Sequence, residues 1–203
     1  MTRRLVAFAS ALVLTGCMGL GGPKTVVQVY APTTSVQIDP AWPEVDWSLA
    51  IGTPVASQMI DTTRIAVRPS PDQIQAYKGA RWADSAPEML QTALVQTFED
   101  SGRFRSVMRL GGSGRGEYLL LTEIRHFETA YRGGRPTVVV DVQAKLIQRG
   151  AGRVASHRFR QEVVPASPEV DDIAPAFGQA MSALAAELIG WSLTQQPIQP
   201  GSE

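Results

Sequence analysis

Hydrophobic and polar positions alternate in several short registers along this chain, and they change period three times. Thr25 to Tyr30 (TVVQVY) reads as a first strand. Ala31 to Asp46 is rich in Pro, Thr and Asp and reads as irregular. From Trp47 to Ile51, Trp47, Leu49 and Ile51 alternate with Ser48 and Ala50, the period of a half-buried strand. Arg64 to Arg68 (RIAVR) is another short strand, bounded by Pro69 and Pro71. The period then lengthens. Leu90, Ala93, Leu94, Thr97 and Phe98 fall on one helical face. Ahead of them, Ser85 followed three residues on by Glu88 has the spacing of a capping box, with Pro87 suited to a first turn. Gly102 supplies a stop, and Phe104 to Leu110 returns as a strand.

The second half repeats the scheme with longer elements. Tyr118 to Tyr131 reads as a long strand, turned by Gly133-Gly134 into Thr137 to Gln148. In that second strand Val138, Val140, Val142, Ala144 and Leu146 face one way, while Val139, Asp141, Gln143 and Lys145 face the other. Gly150 to Gly152 turns again into Val154 to Val164, which completes an antiparallel meander over 118–164. Ser167-Pro168-Glu169 opens a last helix, with Pro175 moving its expected start towards Asp172. Ile173, Phe177, Ala180, Met181, Leu184, Leu188 and Trp191 form its apolar face. The expected fold is α+β: a two-layer domain, mainly antiparallel sheet, with two amphipathic helices packed on one face.

The N-terminus follows a different logic. Met1 to Arg4 is basic, Leu5 to Leu14 is apolar, and Thr15-Gly16-Cys17 is a small-residue exit. That is the build of a secretory signal peptide, and its apolar run falls short of the roughly 20 residues of a spanning helix. Cys17 is the only cysteine of the 203 residues, so it forms no intramolecular disulfide and no thiolate cluster. Leu14 to Cys17 resembles the lipobox of bacterial lipoproteins, in which the thiol takes a diacylglyceryl group. The expected organisation is a signal peptide over 1–16 and a lipidated flexible tether over 17–23. A single domain over 24–194 and a disordered tail over 195–203 follow. Met18 in place of Asp favours the outer membrane, facing the periplasm, and multiple acylation of Cys17 would hold the chain there.

Composition removes some functions. With residues 1–16 gone, 17 basic side chains stand against 19 acidic ones, a balance that argues against nucleic acid as a partner. GGSGRG at 111–116 is neither GxGxxG nor a P-loop, and it precedes a strand, so it reads as a turn. His126 and His157 lie in no metal-ligand spacing, and no G-x-S-x-G elbow is present. Asp171-Asp172 suits a helix N-terminus. Trp42, Tyr77 and Trp82 read as core or as packing lids. No catalytic residue, metal site or cofactor is expected. Arginines gather in the meander at 125, 132, 135, 149, 153, 158 and 160. They read either as a solvated face or as a docking surface, for which Arg125 and Arg158 are the candidate residues.

The order of these features resembles the ABC-type transport auxiliary lipoproteins, the PqiC-like group. The resemblance runs through "RIAVRP", "IQAYKGARWADSAPEMLQTALVQTFEDSGRFRSV", "EYLLLTEIRHFETAY", "PTVVVDVQAKLI" and "AFGQAMSALAAELIGW". It implies a non-enzymatic docking component of an envelope lipid-transport system. Its implied partner is a periplasmic MCE-domain protein and, through that, an inner-membrane ABC permease and ATPase. A homo-oligomer is a further expectation. Only Cys17 carries a chemical role over, as the lipid-attachment point. The competing readings are a general outer-membrane assembly or structural lipoprotein that binds barrels or peptidoglycan, and an envelope hydrolase.

Overall fold

The computed structural model describes residues 26–111 and 115–195. The expected signal peptide, Cys17, its tether and the last eight residues lie outside the described residues, as do residues 112–114 of the glycine-rich loop. Eleven elements follow in order: β1 (Gln28–Tyr30), β2 (Val45–Ile51), β3 (Val55–Ala56), β4 (Arg64–Ser70), β5 (Gln73–Trp82), α1 (Ala86–Asp100), β6 (Phe104–Arg109), β7 (Tyr118–Arg132), β8 (Arg135–Gln148), β9 (Val154–Val163) and α2 (Val170–Thr194).

The meander is present as β7, β8 and β9, paired antiparallel over nearly their full lengths. The rest of the sheet is not mainly antiparallel. One edge of β7 is shared by three strands that run parallel to it: β2 at Tyr118–Leu120, β3 at Glu123–Ile124 and β4 at Thr129–Ala130. β6 adds parallel to β2, and β1 adds parallel to β5, while β4 and β5 form an antiparallel hairpin. The result is a mixed nine-stranded sheet. Short turns mark antiparallel neighbours in a sequence, whereas these parallel partners are brought together only by tertiary structure.

Several local expectations shift. β4 runs on to Ser70 through Pro69, because Pro69 falls in a register break between Val67↔Gln75 and Ser70↔Gln73, where no ladder N–H is required. β5 had no counterpart in the periodicity: only Ala80 and Trp82 at its end are buried. Ser85 is the N-cap of α1 but makes no side-chain capping bond, so the capping box is not formed. Gly102 does follow the helix in the left-handed region. α2 begins at Val170, ahead of Pro175, and keeps the proline inside the helix, where one backbone bond is lost.

Both helices pack on one face of the sheet. Phe98, Leu90 and Leu94 of α1 and Phe177, Leu184 and Leu188 of α2 are fully buried. Phe177 meets Trp82 and Phe127 with ring centroids 5.0 and 4.8 Å away, and Phe98 lies 5.3 Å from Phe104, which in turn contacts Trp47. By length and apolarity α2 would also suit a membrane, but its apolar face is the core of this domain.

A strap of non-regular chain, residues 31–42, crosses the outside of α2. The amide of Ser35 donates to Ser182 Oγ at 3.0 Å. A Cβ on Gly178 would stand 2.5 Å from the carbonyl oxygen of Thr33, and one on Gly190 would stand 3.2 Å from the ring of Trp42. The small residues of α2 are thus the bed on which the strap lies. The Tyr30 hydroxyl, at the strap's start, donates to Asp171 at 2.7 Å and is pushed up to about 12 by that bond.

Candidate docking face

The face of β7–β9 turned away from the helices belongs to the strands that carry Arg125 and Arg158, the candidate docking residues. Its make-up is set by a bulge. Ile124 pairs with Val142 and His126 with Asp141, so Arg125 is the extra residue of β7. Leu119, Leu121 and Glu123 point outward before the bulge, and His126, Glu128 and Arg132 after it. Were Arg125 an ordinary member of the alternation, with no bulge, Phe127 would have turned out of the core.

The half beyond the bulge is an ion-pair network over two buried carboxylates. Asp141, with no exposed surface, accepts from Arg158 Nε at 2.8 Å, Arg158 Nη2 at 2.6 Å and Arg160 Nη1 at 2.7 Å. Arg160 also bonds Glu162 at 2.7 Å, and Glu162 takes both ends of Arg132 at 3.0 Å. Glu128, equally enclosed, accepts from Arg68 Nε and Nη2 and lies 3.0 Å from His126 Nδ1. Burial opposes ionisation of Asp141, yet the hydrogen bonds from Arg158 and Arg160 outweigh it and hold the carboxyl below its ordinary range. Glu128 is governed the same way: burial pushes it up, and Arg68 and His126 bring it below the ordinary value.

The candidate docking residues therefore divide. Arg158 is half exposed but committed to Asp141. Arg125, on the bulge, is exposed and has no ion pair among the described residues. Val139 and Asp141 point outward as the alternation requires, yet both are buried. Gln143 bonds the backbone carbonyl of His157 at 3.0 Å, and Lys145 is exposed.

Other singled-out residues have structural roles. His126 belongs to the Glu128 cluster. His157 meets Phe159 edge-on at 4.7 Å and tilts against Trp191 at 6.3 Å. Trp82 is core, Tyr77 is half-buried against it, and Trp42 caps Gly190. At the end of the glycine-rich loop, a Cβ on Gly116 would stand 2.5 Å from the amide nitrogen of Ala50, so this glycine lets the loop cross β2 in contact. Glu117 then locks the crossing: it accepts from the Ser48 amide at 2.8 Å and from Ser48 Oγ at 3.1 Å, and it pairs with Arg105. Sequence periodicity had marked none of Arg68, Glu128 or Glu117. Their partners lie on other strands, up to 69 residues away. No group of three or more His, Cys, Asp or Glu side chains that could hold a metal occurs among the described residues.

This chain matches the family model described as the ABC-type transport auxiliary lipoprotein component over residues 28–189. It belongs to that family. The match takes in every strand and all but the last turn of α2. Protein XCC0632 from Xanthomonas campestris, a solved structure, is 40% identical, covers 82% of this chain and 95% of its own, and superposes with a TM-score of 0.79. A second solved but uncharacterized protein shares the fold at 16% identity, with a TM-score of 0.62 over 77% of this chain and 97% of its own. Among curated proteins, the uncharacterized protein bll6063 of Bradyrhizobium diazoefficiens is 30% identical over 178 residues, which is 85% of this chain and 47% of that protein. The chain spans about half the length of that curated relative.

Proposed function

We propose that this auxiliary lipoprotein is a non-catalytic docking component of an MCE-type ABC lipid-transport system. It would be held at the periplasmic face of the outer membrane through Cys17. The observation that carries the reading is the family match over almost the whole described domain, joined to a lipobox-like Leu14–Cys17 ahead of it. The interior supports a docking role over a chemical one. Both histidines and both buried carboxylates are tied to neighbours within the sheet. In this reading the partner is a periplasmic MCE-domain protein, which links the chain to an inner-membrane permease and ATPase. The domain itself would act in several copies, so that modest contacts add up.

The anchor is tested by Cys17→Ser. A hydroxyl does not replace the thiolate in acylation, so the variant should stay unprocessed or be released from the membrane. Fractionation with a lipid label reads this out, and recovery of labelled variant in the outer membrane at the wild-type level would refute the anchor. Co-purification of the full chain with an MCE-domain protein from the same cell tests the partner.

A further inference from the structure

The outer face has a second half that the ion pairs do not cover. On the near side of the bulge a cross-strand row runs Leu119–Ile147–Val154, one residue from each strand of the meander. Leu121 lies beside it, close over Gly52, where Leu110 also approaches, and Val55 stands on the neighbouring β3. Val154 is 54% exposed, Val55 67% and Leu110 39%, and the other three are half-buried. No helix among the described residues packs here. A shallow groove of about 220 Å³ opens between Val55, Leu121, Glu123, Gln143 and Lys145. A contiguous apolar row on a sheet face that is otherwise closed by salt bridges marks an interaction site.

We propose that this apolar row is the surface on which the partner protein docks, and that the partner presents apolar side chains flanked by carboxylates. The inference rests on the docking-lipoprotein reading above. Two observations select this occupant. The first is charge: Lys145 and Arg149 are exposed at the edge of the row without an ion pair among the described residues, and of the exposed carboxylates beside them only Glu123 is unpaired. The second exposed carboxylate nearby, Glu117, is already paired with Arg105, so an acidic rim on the partner still complements that edge and would steer the encounter. The second is direction. β1 runs parallel to β5, β5 antiparallel to β4, and β4 parallel to β7. Traced backwards from Tyr30 to Val26, the chain therefore heads towards the Gly133–Gly134 turn. The apolar row lies at the opposite end of β7. The described chain thus leaves towards the end of β7 opposite the row, so an N-terminal anchor does not cover the row and leaves it open to a protein.

The test is equilibrium binding of the mature chain to the periplasmic region of an MCE-domain protein from the same cell. Val154→Glu and Lys145→Glu change exposed side chains and should keep the wild-type melting temperature. Val154→Glu should weaken binding at least tenfold. Lys145→Glu should weaken it severalfold and remove part of its salt dependence. Arg135→Glu, at the far end of the same face, should bind as wild type. If the wild type binds and both row variants bind equally well, the row is not the docking surface and the docking role stands. If the wild type does not bind at all, role and surface fall together. Binding to phosphatidylglycerol vesicles that Val154→Glu abolishes would assign the row to lipid and overturn the proposal. So would loss of self-association in sedimentation with partner binding intact, since the row would then belong to a second copy of the chain.

Discussion

At the residue scale, two arginines on one face have opposite fates. Arg158 spends two nitrogens on a carboxylate with no exposed surface, while Arg125 stands on a bulge with its guanidinium in solvent. Reversing Arg158 to Glu places a second negative charge against buried Asp141 and should lower the melting temperature by several degrees. Arg125→Glu should leave it within about a degree, since surface changes away from such features cost within about 0.5 kcal/mol. Paired melting curves check the contrast, and equal losses would mean that the Arg158–Asp141 bond contributes nothing. This distinction was not legible in the sequence. Composition showed arginines concentrated in the meander, and alternation showed Asp141 pointing outward. Which arginine meets which acid depends on cross-strand register, and the bulge at Arg125 shifts that register by one residue. A single extra residue in a long strand leaves no periodic trace strong enough to fix its position.

At the element scale, what the chain revealed and what it hid divide by sequence distance. Both helices, the meander and the strand at Trp47–Ile51 follow from local period and short turns. The parallel strands beside β7 do not, and β5 stayed hidden because its first seven residues keep one face in water and only Ala80 and Trp82 enter the core. The helices give firm expectations. Phe177 is enclosed between Trp82 and Phe127, and Phe98 between α1 and β6. Replacing either with Ala should cost about 3–5 kcal/mol, read as a shifted denaturation midpoint at unchanged slope. Gly178 tests the strap. A Cβ there meets backbone, which cannot swing aside, so Gly178→Ala should cost about 1–3 kcal/mol despite the better helix propensity of alanine. The amide of Ser35 should lose its protection from hydrogen exchange. Gly190→Ala should be milder, because there the obstacle is the side chain of Trp42.

At the scale of the whole molecule, the ion pairs join β4, β7, β8 and β9 into one acid-sensitive sheet. Asp141, Glu128 and Glu162 all titrate below their ordinary values in the fold, Glu162 chiefly through hydrogen bonds from Arg132 and Arg160. A carboxylate whose folded pKa is depressed adds stability that is complete above its unfolded value and is lost as pH falls through its folded one. With ordinary values of 3.8 for Asp and 4.5 for Glu, stability should hold level from neutrality to about pH 5 and fall steeply below about pH 4. Asp141→Asn should be less stable at pH 7 and show a shallower acid limb. An unchanged limb would place the acid sensitivity elsewhere. The strap across α2 has a consequence of another kind, for the order of events in folding. Ser35 and Ser182 are 147 positions apart, and Tyr30 and Asp171 are 141 apart. The strap has no bed until the final helix has been made and has docked, so the first described residues are among the last to settle. Closing contacts across so much chain slows the search for the native state. In a polypeptide built this way the local hairpins can form early, but the N-terminal end of the domain is sealed only by its own last helix.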